Sequence, residues 1–183
     1  MKFIDISDEQ NGLNFDLVKK AGIEGCIIEV CEGTELLTYY PKFFNACLTQ
    51  DLYIGAACMT VAGDEEDAEY EAETLINAVE KNGGIETNLY LWIAFNSSLA
   101  DLMDDATLAS IANTFVTVCN QKGYIAGVCA EDDVFQRMEK AGLNRGILKW
   151  CASEDGARLV NYDCWNVGKE TIGTKEVSMN EWY

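Results

Sequence analysis

The sequence has no histidine and a single proline in 183 residues, and its charge is one-sided, with 13 basic against 31 acidic residues. Without histidine, Ser-His and Cys-His nucleophilic pairs cannot form, and the commonest general base is missing. Any acid–base chemistry would therefore depend on carboxylates. The formal net charge of -18 and the scattered basic residues argue against nucleic acid and against an anionic membrane as partners.

Long apolar runs are also missing. No stretch approaches the roughly 18 apolar residues that a membrane-spanning helix needs. The opening MKFIDISDEQ brings acids directly after a short apolar start, unlike a signal peptide. We therefore expect neither a membrane segment nor an export signal. The length suits a single domain over residues 1–183, which buries roughly 70% of the surface that the unfolded chain exposes.

The eight cysteines lie mostly inside apolar runs, as at Cys26, Cys58, Cys129 and Cys151. There a cysteine behaves as a small hydrophobic residue. No CxxC pair is present, and a zinc site would need distant thiolates or carboxylates. A phosphate-cradling GxxxxGK loop and a nucleotide fingerprint are missing too. We expect no metal and no cofactor, while spacing alone leaves open whether some of the thiols pair in space.

Short runs rich in Ile, Val, Tyr and Cys alternate with amphipathic helical stretches. This rhythm predicts an α/β fold with repeated βα units around a mainly parallel sheet. The clearest helix begins with an acidic first turn at Asp64 and carries one apolar stripe. The predicted strands are 3–6, 25–30, 52–59, 89–95, 124–129, 146–151, 159–166 and 172–179. The predicted helices are 14–21, one that starts near Pro41, 64–81, 105–122 and 132–141, which makes five βα units followed by three strands.

Local motifs follow one known pattern over nearly the whole chain. Asp5 and Ser7 stand at the end of the first strand, Gln10 follows, and Ala21 and Gly22 end the first helix. Further matches are Gly33-Thr34, Gly55-Ala56, the helix with 69–73, Gly123-Tyr124 and 163–165. Together with five βα units and three closing strands, these positions resemble the family 25 glycoside hydrolases, the lysozyme-type muramidases. The resemblance implies a TIM-like βα-barrel of the family 25 lysozyme type.

The resemblance also implies an activity, the cleavage of the β-1,4 bond after N-acetylmuramic acid in peptidoglycan, by acids at the strand C-terminal ends. The family carries an Asp-x-Glu on the fourth strand, with the Glu as general acid. Here the Asp position is Trp92 and the Glu position is Ala94, and NLYLWIAFNSS contains no acid in any register. A family acid on the last strand falls on Ser178, and an Arg near the second strand's end becomes Glu29.

The positions that hold aromatic and His side chains in the family are filled by Ala57, Cys58 and Met59, and Asp5 alone remains of the catalytic set. We therefore expect a non-catalytic, lysozyme-like barrel that acts as a binding or structural module. Such barrels are frequent in phages and Gram-positive bacteria. The resemblance thus implies docking on protein subunits of a larger assembly or on cell-wall glycan, in the bacterial cytoplasm or a phage particle.

Three residues are candidate ligand contacts. Asp5 either bonds backbone amides at the strand end in a structural role or contacts a glycan. Trp92 either plugs the former cleft or forms a stacking platform for a sugar ring. Trp165 lies either in the core or at the rim of the barrel.

The alternative is a peptidoglycan muramidase or related glycosidase with relocated carboxylates, Asp5 together with Glu29 or Glu32. Glycosidases need two carboxyl groups about 5–5.5 Å apart for retention or about 6.5–9.5 Å apart for inversion. Neighbouring strand ends can meet either distance.

Overall fold

The computed structural model describes residues 1–82, 89–153 and 161–182. Within these residues the strands are β1 (Lys2–Ile6), β2 (Gly25–Glu32), β3 (Glu35–Leu36), β4 (Tyr53–Met59), β5 (Tyr90–Ala94), β6 (Ile125–Ala130), β7 (Leu148–Cys151), β8 (Cys164–Ile172) and β9 (Lys175–Trp182). The α-helices are α1 (Phe15–Lys20), α2 (Tyr40–Thr49), α3 (Glu65–Glu80), α4 (Ser97–Ala100), α5 (Asp105–Gln121) and α6 (Asp132–Ala141).

Eight of the nine strands close into a barrel in the order β1-β2-β4-β5-β6-β7-β8-β9, and β9 pairs back with β1. The strands from β1 to β8 in this ring run parallel, whereas β9 is antiparallel to both of its neighbours. The two-residue β3 is an antiparallel addition to β2. The predicted architecture, a βα-barrel with five βα units followed by three strands, is confirmed.

The predicted boundaries of the last strands are wrong. The segment between 166 and 172 was expected to be a turn, but it belongs to β8, which bulges between Asn166 and Gly168 and turns into β9 at Gly173. Three of its residues, Lys169, Glu170 and Thr171, are exposed. A two-stranded ribbon that buries little surface shows no apolar alternation, so the sequence pattern missed it. Part of the predicted strand 159–166 lies outside the described residues.

Helix faces follow the sequence pattern where the apolar stripe is long. The predicted stripes of α3 and α5 are buried throughout. The sequence also suggests Leu17, Val18 and Ala21 as one face of α1 and Leu48 as an inward residue of α2, but Leu17, Ala21 and Leu48 are exposed. The buried residues are Phe15 and Val18 in α1 and Tyr40, Phe43, Phe44 and Cys47 in α2.

The barrel interior contains a layer of large rings around Trp92. Its ring packs edge-to-face on Trp150 and Trp182, at centroid distances of 5.7 and 5.5 Å. Glycines on the two flanking strands make room for it. A Cβ at Gly127 on β6 would lie 2.5 Å from Cζ3 of Trp92, and a Cβ at Gly55 on β4 would lie 3.5 Å from its Nε1. The ring therefore spans the interior from β4 to β6.

Replacing Gly127 with alanine is expected to lower the free energy of unfolding by about 1–3 kcal/mol, because overpacked cores must shift side chains or backbone. The added methyl group would meet both Trp92 and the carbonyl oxygen of Leu148, the latter at 2.7 Å. Denaturant unfolding measures the change. Gly63→Ala is the matched control, since a Cβ there meets a flexible Asp67 carboxylate at 3.5 Å. Equal stability of the two variants would contradict the packing described for Trp92.

Candidate functional site

A cavity of about 320 Å³ opens at the mouth of the barrel, where the parallel strands end. This end of a βα-barrel is where such folds carry their chemistry. We call it the mouth cleft. It is lined by Asp5, Ile6, Ser7, Glu9, Gln10, Ile27, Glu29, Ala57, Met59, Ala94, Phe95, Cys129, Trp150, Ala152, Asn166 and Ser178.

A chain of hydrogen bonds crosses the wall of the mouth cleft. The indole N–H of Trp150 donates to Oδ1 of Asn180 at 3.0 Å, and Nδ2 of Asn180 donates to Oδ1 of Asp5 at 2.6 Å. Because Asn180 is fully buried, its amide fixes the orientation of both neighbours. The bond from Asn180 is a side-chain partner that Asp5 has in addition to the backbone hydrogen bond expected at the strand end.

Burial raises the pKa of Asp5 above its ordinary value, and the hydrogen bonds from Asn180 and Ser178 and the charge of Lys169 oppose the rise. Ser178 is the register partner of Asp5 across the β1–β9 pair, and Lys169 is the partner of Ser178 across β9–β8. These three side chains therefore lie in one row across three adjacent strands.

Glu29 lies in the same cleft and is partly buried. Its pKa is raised to about 7, mainly by desolvation and then by the charges of Glu32, Asp5, Asp8 and Glu9. Asp5 pairs in register with Ile27, so Glu29 stands two residues closer to the mouth on the neighbouring strand. Strand spacing and rise then put the Cα atoms of Asp5 and Glu29 about 8 Å apart. The structure thus brings two carboxyl groups of the predicted alternative together.

Glu29 predicts a pH dependence of stability. The folded chain holds a proton on Glu29 up to about pH 7, whereas the ordinary value is 4.5, so stability is expected to fall as pH rises from 4.5 to 7. Glu29→Gln keeps the shape and cannot ionise. Unfolding curves at several pH values should show a shallower fall for the variant than for the wild type. Parallel curves for both would mean that Glu29 ionises normally in the fold.

Glu32 does not line the mouth cleft. The register of β2 shifts between Glu29 and Cys31, and beyond this bulge Glu32 is exposed and pairs with Glu35 on β3. A bulge changes the direction in which the side chains after it point. Of the two relocated pairs considered from the sequence, Asp5 and Glu29 both line the cleft, whereas Glu32 lies outside its lining, although its charge still acts on Glu29.

Trp92 is fully buried and lies beneath the mouth cleft instead of within it. No ring face is open to a stacked sugar, and the cavity above it is not filled by the ring. The ring points into the centre of the barrel, as the plug interpretation expected, but it leaves the cleft open, and its burial argues against the stacking platform. Trp165 is 6% exposed and lies between Cys164, which is in the barrel interior, and Asn166, which lines the cleft. Its side chain therefore points to the outer face of β8, away from the cleft.

The other positions singled out by the resemblance do reach the cleft. Ala94 ends β5 at its wall, Ser178 lines it from β9, and Ala57 and Met59 line it from β4. Cys58 points outward instead, where its thiol contacts the carbonyl oxygen of Gly33 at 3.5 Å. The wall at these positions consists mainly of small side chains.

Sequence reasoning missed Trp150 and Asn166, which line the cleft, and the buried Asn180, which bonds to Trp150 and Asp5. Asn180 is a fully buried amide in a strand whose other polar residues are exposed or only partly buried. Its alternation with Ser178 could have placed it on the inner face, but the predicted strand ended at Met179.

No group of three or more His, Cys, Asp or Glu side chains arranged to hold a metal ion occurs within residues 1–82, 89–153 and 161–182. In that same part of the chain, none of the helices is both long and apolar enough to cross a bilayer.

No protein-family model and no curated protein matches the sequence. Solved structures do share its fold. The modular autolysin LytC from Streptococcus pneumoniae, in complex with a synthetic peptidoglycan ligand, superposes with a TM-score of 0.83 at 19% identity, covering 100% of this chain and 46% of that one. This chain thus spans about half the length of that autolysin.

Two shorter proteins are matched over most of their length. The catalytic domain of endolysin ply40 from a Listeria monocytogenes bacteriophage gives a TM-score of 0.82 at 18% identity, with 100% and 93% of the two chains covered. A family 25 glycosyl hydrolase from Bacillus anthracis gives 0.81 at 14% identity, with 100% and 88% covered. The fold implied by the sequence resemblance, a family 25 lysozyme-type barrel, is confirmed.

Proposed function

We propose that the mouth cleft binds a peptidoglycan-type glycan without cleaving it, and that the chain acts as a non-catalytic binding module. One observation carries the proposal. Strand β5 brings Ala94 to the cleft and buries Trp92 beneath it, so this strand presents no carboxylate, while the cavity keeps a volume of about 320 Å³. A cavity of this size with a few convergent polar groups is a usual ligand site.

The lining suits a hydroxyl-rich ligand. Asp5, Glu9 and Glu29 offer acceptors for sugar hydroxyl groups, and Asn166 offers both a donor and an acceptor. Trp150 supplies an aromatic surface for the apolar side of a sugar ring. The complex of LytC with a peptidoglycan ligand supports the same ligand class for the shared fold. We therefore favour cell-wall glycan over protein subunits as the partner. The location of the protein, in the bacterial cytoplasm or a phage particle, stays a prediction.

A titration with fragments of alternating N-acetylglucosamine and N-acetylmuramic acid tests the binding. Calorimetry should give saturable heat with the wild type. Ala94→Phe places a ring in the cleft and is expected to weaken binding at least tenfold. Thr117→Phe is the matched control, because it adds the same ring at an exposed position of α5. No heat with the wild type at millimolar fragment, or equal binding by both variants, would contradict binding in the cleft.

A second candidate is a glycosidase that uses Asp5 and Glu29. It is favoured by the presence of both carboxyl groups in one cleft and by the pKa of about 7 at Glu29, which suits a general acid near neutral pH. Cell-wall clearing between roughly pH 4 and 7 would reveal it. Lysis abolished by Asp5→Asn and by Glu29→Gln, but not by Glu32→Gln, would establish this candidate and overturn binding without cleavage.

A further inference from the structure

Strand β2 has a thiol contact at each of its ends. Near its start, Cys26 points out of the barrel toward α2, where it meets Cys47, and the two side chains are 1% and 0% exposed. The neighbouring Cys47 thiol, together with burial, raises the pKa of Cys26. The contact joins the barrel to its outer helical layer.

Near the end of β2, Cys31 is the register partner of Cys58 on β4. Partners on adjacent parallel strands have Cα atoms about 4.8 Å apart, which lies within the 4.4–6.8 Å range that disulfides span. Both side chains are fully buried, and the neighbouring Cys31 thiol, together with burial, raises the pKa of Cys58. The β2 bulge directly before Cys31 lets the backbone depart locally from the regular pleat.

Not every cysteine has such a neighbour. In the part of the chain that the structure describes, the pKa of Cys119 on α5 is raised by burial, with no contribution from another thiol. All eight cysteines are free and buried in this structure. Burial raises the pKa values of Cys129 and Cys164 most, and the charge of Cys151 contributes to both, so thiol neighbours also occur away from β2.

We propose that Cys26–Cys47 and Cys31–Cys58 are disulfide-forming pairs. When the chain is oxidised, the first disulfide links β2 covalently to α2 and the second links β2 to β4. The reaction is thiol–disulfide exchange with a disulfide oxidant such as oxidised glutathione. In each pair the two thiols lose two protons and two electrons and form one S–S bond. The oxidant's S–S bond breaks and takes up those protons and electrons as two thiols.

The raised pKa values and the burial of these thiols determine at which stage the disulfides can form. Thiolate is the reacting form, so folded thiols of high pKa react slowly. We therefore expect the links to form while the chain folds under oxidising conditions, and the folded reduced chain to resist oxidation. The links would close the loops 26–47 and 31–58, which constrains the unfolded chain and raises the unfolding temperature. This inference does not depend on the proposed function.

The test is to refold the full chain in a mixture of reduced and oxidised glutathione, alkylate the free thiols and map linked peptides by mass spectrometry. We expect two links, Cys26–Cys47 and Cys31–Cys58, an unfolding temperature several degrees above that of the reduced chain, and loss of both after reduction. Links between other partners, or complete alkylation of these four cysteines in a natively folded product, would overturn the proposal.

Variants separate a specific pair from chance oxidation. Cys47→Ser should leave Cys26 alkylated while the Cys31–Cys58 link persists, and Cys119→Ser should leave both links in place. Cys47→Ala serves the same purpose if the buried hydroxyl group of the serine variant disturbs folding. A new link from Cys26 to a different cysteine in either Cys47 variant would show that proximity at β2 does not select the partner.

Discussion

Replacing Trp92 with alanine is expected to lower the free energy of unfolding by about 3–5 kcal/mol, as for other large buried aromatic residues. The ring is fully buried and contacts rings on β7 and β9, so its removal leaves a cavity in the middle of the barrel. The small residues Gly55 and Gly127, which flank the ring, have no side chains that could fill this cavity. Chemical denaturation followed by circular dichroism measures the change.

A comparison with Trp92→Phe refines the test. In the described part of the chain, the indole N–H of Trp92 is buried and has no hydrogen-bond partner. Phenylalanine removes this unsatisfied donor, which offsets part of the lost packing, so its effect should be clearly smaller than that of alanine. Tyr53→Ala is the control, because that ring is 70% exposed and a change within about 0.5 kcal/mol is expected. A loss below about 1 kcal/mol for Trp92→Ala would contradict the central role of this ring.

Replacing Asn180 with alanine is expected to cost about 2–4 kcal/mol, because it leaves two buried groups without their partner. The carboxylate of Asp5 loses a donor at 2.6 Å, and the indole N–H of Trp150 loses an acceptor at 3.0 Å. Denaturant unfolding near neutral pH measures the cost. A change within about 0.5 kcal/mol would mean that water replaces the amide without loss.

Asn180→Asp separates the two bonds. An aspartate still accepts from Trp150, but it can donate to Asp5 only while the two carboxyl groups share a proton. The variant should therefore approach wild-type stability at low pH and lose stability as pH rises and both groups ionise. If its loss were the same at all pH values, the bond to Asp5 would not be the one that matters.

Much of the fold could be predicted from local patterns. Helices α3 and α5 have long apolar stripes of period 3.6, and α3 begins with Asp64, whose side chain accepts the backbone N–H of Asp67. The strands of the parallel ring are short apolar runs between these helices, and their number followed from the alternation. The spacing of apolar residues reflects which face of an element is buried. Elements that bury one face completely were therefore predicted correctly.

The candidate site could be predicted only in part, because it depends on register between distant residues. Asp5 and Ser178 were singled out, but their adjacency depends on the register of β1 with β9, and the bond from Asn180 to Asp5 joins residues 175 positions apart. A one-residue shift of a strand exchanges its inner and outer faces. Strand β9 ends three residues later than predicted, and β2 bulges before Glu32. Neither feature can be predicted from the pattern of apolar residues.

Trp92 illustrates the same limit. Its inward direction follows from alternation along β5, but its position depends on Gly127, its register partner on β6, and on Gly55, which lies two residues away from the register partner of Trp92 on β4. The pairing of Trp92 with Gly127 is set by the register of β5 and β6 in the folded barrel. A glycine within a strand nevertheless already indicates that a neighbouring group approaches closely. Trp92 therefore belongs to a buried layer of the barrel interior, and the mouth cleft above it is open and not blocked.

The most direct test of binding without cleavage follows heat and products in one experiment. The wild type is titrated with a peptidoglycan tetrasaccharide by calorimetry, and the same sample is then incubated and separated by chromatography. The account predicts saturable heat that Ala94→Phe weakens, together with an intact tetrasaccharide. Cleavage products that disappear in Asp5→Asn and Glu29→Gln would contradict it, as would an intact tetrasaccharide with no heat of binding at millimolar concentration.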